Sequence, residues 1–236
     1  DVQAEVQKTN PEFIFTAVLQ GLRFWPNDKI KEYLTASFEM KKKFPELING
    51  FDMVAEEDMR ALSDMIPTFL EFKKLEHKDC CDNFSFLLHA GESLNPQCDN
   101  MVDAVLFGCP RIGHGYNLYR HPILLEKLKS NKICIEWNPL SNQILRYVKD
   151  MRNHPHFGSY KQGVVLSISS DDPGIFGTDP ATWDLVSVVL SFKLGLADLK
   201  VFFENSIDSC CLNQRQQDSL RSSWSKLWKN YLDAFN

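Results

Sequence analysis

Residues 84–96 read "FSFLLHAGESLNP", an apolar run that stops abruptly at His89-Ala90-Gly91-Glu92. Phe84, Phe86, Leu87 and Leu88 suit a strand buried on both faces, as in a parallel sheet. A histidine and a glutamate three positions apart add nothing to a core. They are either two solvated groups at an ordinary strand end or part of the rim of an active site.

The same pattern recurs on both sides of this stretch. Upstream, "PEFIFTAVLQGLRF" (11–24) and "LINGFDMVA" (47–55) read as strands. Between and after them, 28–44 and 57–77 read as helices, the second broken near Pro67. Downstream, "RIGHGYN" (111–117), "KICIEWNP" (132–139) and "VVLSISSDDP" (164–173) read as strands. Helices are expected over 98–108, 121–131, 140–151, 181–195 and roughly 198–234. Strand and helix alternate about six times, and the apolar runs predict a parallel α/β fold, barrel or doubly wound.

In a parallel barrel the carboxyl ends of all strands share one rim, where barrel enzymes carry their chemistry. The strand ends here hold His89 and Glu92, then His114 between two glycines, then Asn138, Ser141 and Asn142, then Asp171 and Asp172. Each has an ordinary reading: a solvated histidine, a tight turn, a turn or helix cap before a proline. Their recurrence in order at successive strand ends favours a shared site. Imidazole and carboxylate are good zinc ligands, and a nearby carboxylic acid can protonate a substrate.

Other polar features read as structural. His154-Pro155-His156 is placed in a loop and not taken as a metal pair; His77 and His121 are taken as solvated or capping. Trp224, Leu227, Trp228 and Tyr231 form the packing stripe of a helix. A net charge of −5 gives no basic footprint, so nucleic acid is not an expected partner, and no apolar run has the length of a membrane span. Seven cysteines without a C-x-x-C pair lean weakly towards an oxidising compartment.

"HAGE", "RIGHG" and "SSDDP", in this order, resemble the adenosine deaminase family; "RIGHGYNLYRHP", "PLSNQIL" and "RNHP" are similar to its secreted, growth-factor-related branch. The resemblance implies a (β/α)8 TIM barrel of the metal-dependent hydrolase type, holding one zinc ion and deaminating adenosine or 2′-deoxyadenosine. It implies His89 and Asp171 as zinc ligands and Glu92 as the acid that protonates the purine N1. It implies His114 as the histidine that positions and activates the attacking water, and Asp172 as a partner of the purine N7. The family's first strand carries an H-x-H zinc pair that this sequence lacks. Strands 3–8 are therefore expected and strands 1–2 missing, with residues 1–236 the C-terminal portion of a single catalytic domain. Three positions depart from the family pattern: Phe24 stands where it has histidine, Ala55 where it has glycine, and Asn138 where it has cysteine. These leave two further readings open, a degenerate extracellular binding protein and a deaminase of another purine. The resemblance also implies secretion, with a homodimer and a cell-surface receptor as open partner readings.

Overall fold

The computed structural model describes residues 2–76 and 84–234; His77, Cys80 and Cys81 lie outside the described residues. After α1 (Val2–Gln7), a first unit runs β1 (Ala17–Leu22), α2 (Asn27–Lys43), β2 (Ile48–Val54), α3 (Ile66–Glu76) and β3 (Ser85–Phe86). A second runs β4 (His89–Ala90), α4 (Asn100–Phe107), β5 (Arg111–His114), α5 (Pro122–Asn131), β6 (Cys134–Trp137), α6 (Pro139–Ile144), α7 (Pro155–Lys161) and β7 (Leu166–Ile168). Four helices close the chain: α8 (Pro173–Phe176), α9 (Thr182–Phe192), α10 (Leu196–Asp208) and α11 (Gln214–Asp233).

All pairings are parallel, in the orders β1-β2-β3 and β4-β5-β6-β7. The run 84–92 joins the two sheets. Its first half pairs with β2, continued by the Leu87 N–H donating to Phe51 O at 3.0 Å; its second half pairs with β5. The ladder breaks between because the Asp52 carboxylate accepts the His89 N–H at 2.8 Å, in place of a main-chain carbonyl. The result is six strand positions of an α/β barrel whose ring is open between β1 and β7 among the described residues, as the count of strands 3–8 anticipates.

Two aromatic-rich zones fill the layer between strands and helices. Phe38, Phe51, Phe69, Phe72 and Phe86 pack under α2 and α3, and Trp137 and Phe202 lie between β6 and α10. Each such side chain contributes about 1.5–3 kcal/mol by leaving water. Gly50 lets β2 and β3 approach, since a Cβ there would lie 2.2 Å from the Ser85 carbonyl oxygen.

Several boundaries differ from expectation. Pro67 does not break a helix; two 3-10 turns (Glu57–Met59 and Leu62–Asp64) precede it and α3 starts at Ile66, where a proline in the first turn costs no hydrogen bond. The last stretch divides at 209–213, because Asn213 and Gln216 exchange side-chain to backbone bonds and start α11 afresh. His154-Pro155 is not loop: His154 caps α7 and Pro155 is its first residue. His121 occupies the cap position of α5 without a side-chain capping bond. The aromatic stripe of α11 packs only in part: Trp224 meets Phe203 at a ring distance of 4.8 Å, whereas Leu227 is exposed. No helix of the described residues is long and apolar enough to cross a membrane. Cys98, Cys109, Cys134, Cys210 and Cys211 are free thiols.

Candidate active site

The carboxyl ends of β4, β5 and β7 bring His89, His114 and Asp171 together, with one potential ligand atom from each within 4.8 Å of the others. Their approach depends on Gly113, where a Cβ would lie 2.8 Å from His89 Nδ1. His114 and Asp171 hold left-handed backbone, φ 60° and 52°, a conformation rare outside glycine that concentrates at functional sites. Asp171 therefore stands in a turn and not, as the strand reading had it, at the end of an extended run to residue 173; β7 stops at Ile168.

Each group is held from behind. Asp52, on β2, accepts from the His89 main-chain N–H and lies 2.6 Å from its Nδ1. That fixes the ring and leaves Nε2 for a ligand, the carboxylate–histidine pairing usual at metal sites. Burial alone would lower the His89 pKa; the Asp52 charge and hydrogen bond, helped by Glu136 and Glu92, override it and raise it to about 10. Arg23, fully buried, donates to His89 O at 2.5 Å.

Glu57 accepts from the main-chain N–H groups of Gly91 and Glu92, from Asn100 Nδ2 and from Cys98 Sγ. This cradle presents Glu92, whose Oε1 lies 3.4 Å from His114 Nδ1. Burial, reinforced by Asp171, Glu57 and Glu56 against the opposing pull of His89, lifts the Glu92 carboxyl to about 7. His114 is 1% exposed, and burial, with His89, His156 and His154 nearby, holds its pKa well below the ordinary value. Its Nε2 is 3.7 Å from Asp171 Oδ2. Burial, with Asp172 adjacent, raises Asp171.

Asp172 is exposed at the start of α8 and is not among the clustered ligand atoms. Phe24 and Ala55 lie just beyond the ends of β1 and β2, on the same rim; Phe24 is 55% exposed and Ala55 has φ 84°, where glycine is the natural occupant. Sequence reasoning passed over Asp52 and Glu57. A lone acid inside the apolar run "GFDMVA" was the available signal for Asp52. It also passed over His154 and His156, both buried, the second with its Nε2 2.6 Å from His114 O.

An open parallel α/β barrel with two histidines and an aspartate converging on its carboxyl-end rim defines a metal-dependent hydrolase type of protein. A model of the adenosine deaminase family matches residues 22–227, and the chain belongs to that family. It is 35% identical over its whole length to an adenosine deaminase of Lutzomyia longipalpis, covering 46% of that protein. It is 36% identical over 86% of its length to adenosine deaminase 2 of Dictyostelium discoideum, covering 38% of that protein. The chain thus spans less than half the length of these curated relatives. Its fold matches the N6-methyl-AMP deaminase of Arabidopsis thaliana, with TM-score 0.75 and 21% identity over 89% of this chain and 58% of that one. It also matches an amidohydrolase of Burkholderia ambifaria solved with bound Zn, with TM-score 0.76 and 20% identity over 93% and 58% of the two chains.

Proposed function

We propose that this chain forms the greater part of the active-site rim of a zinc-dependent hydrolase that deaminates adenosine and 2′-deoxyadenosine to inosine and deoxyinosine. The observation that carries the reading is the convergence of His89, His114 and Asp171 within 4.8 Å, with Glu92 at 3.4 Å from His114. The His89 imidazole, already oriented by Asp52, and the Asp171 carboxylate are donors of the kind that fit zinc, with His114 beside them. His89 and Asp171 would hold the ion. When bound, zinc supplies a Lewis acid that makes hydroxide available near neutral pH.

The protein's own groups do the rest. Attack at the purine C6 pushes electrons onto N1, and Glu92 donates a proton there. A carboxyl lifted to about 7 is still substantially protonated at neutral pH, where an ordinary glutamate is not. His114, buried and neutral, positions the attacking oxygen and stabilises its charge. Asp172, at the rim, is assigned to the purine N7. Residues 1–236 are read as the C-terminal portion of one catalytic domain whose H-x-H zinc pair lies outside this sequence. The 236-residue chain alone is therefore expected to show no detectable turnover. The likeness of "RIGHGYNLYRHP" to the secreted branch supports an extracellular setting.

A second reading keeps the chemistry and changes the purine. Exposed Phe24 and the left-handed Ala55 on the substrate side of the rim favour it.

The test uses the longest natural product containing this chain, incubated with adenosine with and without a chelator. Inosine is expected, chelation abolishes it, and Glu92→Gln lowers the rate by about 10²–10⁴-fold. Folded, zinc-loaded protein that makes no inosine sinks the assignment; turnover of another 6-aminopurine in its place establishes the second reading.

A further inference from the structure

The structure places a side-chain carboxamide against each nitrogen of His114. Asn138 Nδ2 is 3.1 Å from Nε2, and Asn142 Nδ2 is 3.2 Å from Nδ1. All three residues are buried, at 2% exposure or less. An imidazole cannot accept at both nitrogens: the neutral ring has one donor and one acceptor, the cation two donors. One carboxamide must therefore present its oxygen, which a half-turn of its terminal torsion achieves without change of shape.

The far end of Asn142 decides which. Asn142 Oδ1 is 3.0 Å from His154 Nε2. His154 Nδ1 caps α7 by accepting the His156 main-chain N–H at 3.2 Å. A main-chain N–H only donates, so His154 Nδ1 is bare and its proton sits on Nε2, donating to Asn142 Oδ1. Asn142 then turns its NH2 to His114 Nδ1, which accepts. The His114 proton is left on Nε2, and Asn138 is the carboxamide that turns. Its half-turn brings Oδ1, a buried oxygen without a hydrogen-bond partner, onto that N–H.

The opposite arrangement starts from the Trp137 indole N–H, 3.1 Å from His154 Nε2. It leaves the His156 N–H, the proton then on His154 Nδ1 and Asn138 Oδ1 unpaired, whereas the first leaves the indole and the turned Asn138 NH2. A buried polar group without a partner is unfavourable, so the arrangement with fewer of them wins.

We propose that Asn142, oriented by His154, is a positioning residue that fixes the proton of His114 on Nε2, with Asn138 as its acceptor. His114 then faces Asp171, 3.7 Å away, with an N–H and not a lone pair, and enters the reaction as a hydrogen-bond donor. That last consequence rests on the reading of His114 as the residue beside the attacking oxygen.

The experiment is nuclear magnetic resonance of the full-length protein containing this chain, labelled with 15N-histidine, with the rings assigned by single substitution. Protonated and bare ring nitrogens resonate far apart, so each tautomer is read directly. His114 and His154 are both expected to carry their proton on Nε2; a His114 proton on Nδ1 overturns the proposal. In Asn142→Asp both ends of the side chain accept, so His114 must move its proton to Nδ1 while His154 keeps its own. A folded Asn142→Asp protein with His114 unchanged also overturns it, and if that variant fails to fold, the unsubstituted spectrum decides alone. The spectrum does not depend on turnover. The expected tautomers in a protein without deaminase activity would leave the relay standing and remove the functional reading.

Discussion

At the scale of single residues, the site is governed by groups that never meet a substrate. Asp52 orients His89 and Glu57 sets the turn that aims Glu92. Asp52→Asn removes the charge that holds the His89 ring, and zinc affinity measured by competition with a chromophoric chelator is expected to fall about 10–100-fold while the fold persists. Unchanged affinity would show that His89 does not bind the ion. Glu92 makes a pH-dependent contribution in the opposite sense from a salt-bridged acid. Its folded pKa, about 7, lies above its ordinary 4.5. Between those values the folded state keeps a proton that the unfolded state releases, so stability declines as pH rises through that window. Urea midpoints of the chelated protein should show this decline, and Glu92→Gln should flatten it; parallel profiles would mean that Glu92 titrates normally. At this scale the sequence exposed the residues that end strands, because strand ends interrupt an apolar run. Asp52 was hidden since it sits within such a run, and His156 since its partner, His114, is some forty positions away.

At the scale of elements, hydrophobic runs located six strand positions, but not the way one of them is shared. The run 84–92 is a single stretch in sequence and two strands in space, because a side chain replaces a ladder carbonyl at His89. No periodicity reports that substitution. Short-range turn chemistry explains most displaced helix boundaries: Pro67 and Pro155 are first-turn prolines, and the Asn213–Gln216 box starts a new helix. Gly50 gives an element-scale prediction. An alanine Cβ would sit 2.2 Å from main-chain oxygen of β3, and backbone cannot move aside as a flexible side chain can. Gly50→Ala should cost about 1–3 kcal/mol in denaturant unfolding. A loss under about 0.5 kcal/mol, the usual scatter of surface changes, would show that β2 and β3 are not packed so closely.

At the scale of the whole molecule, family membership and barrel class were legible because the three motifs fall in order at strand ends. What resisted reading is the network behind the site, which depends on packing between elements distant in sequence. The seam at Leu87-Leu88 has a further consequence. Among the described residues, only the run 84–92 pairs with strands on both sides of that seam; β1 to β3 and β4 to β7 otherwise form separate ladders. Main-chain bonds crossing that seam are few, so the two ladders are separable units of opening. Hydrogen–deuterium exchange under mild denaturant should resolve two groups of amides, with 17–54 in one and 111–168 in the other, and a single common exchange rate would refute the division. The His89 amide belongs to neither ladder's carbonyl chain, since it is bonded to a carboxylate. Its exchange should therefore report the hold of Asp52 on the site, making one proton an internal gauge of whether the two halves of the rim are in register.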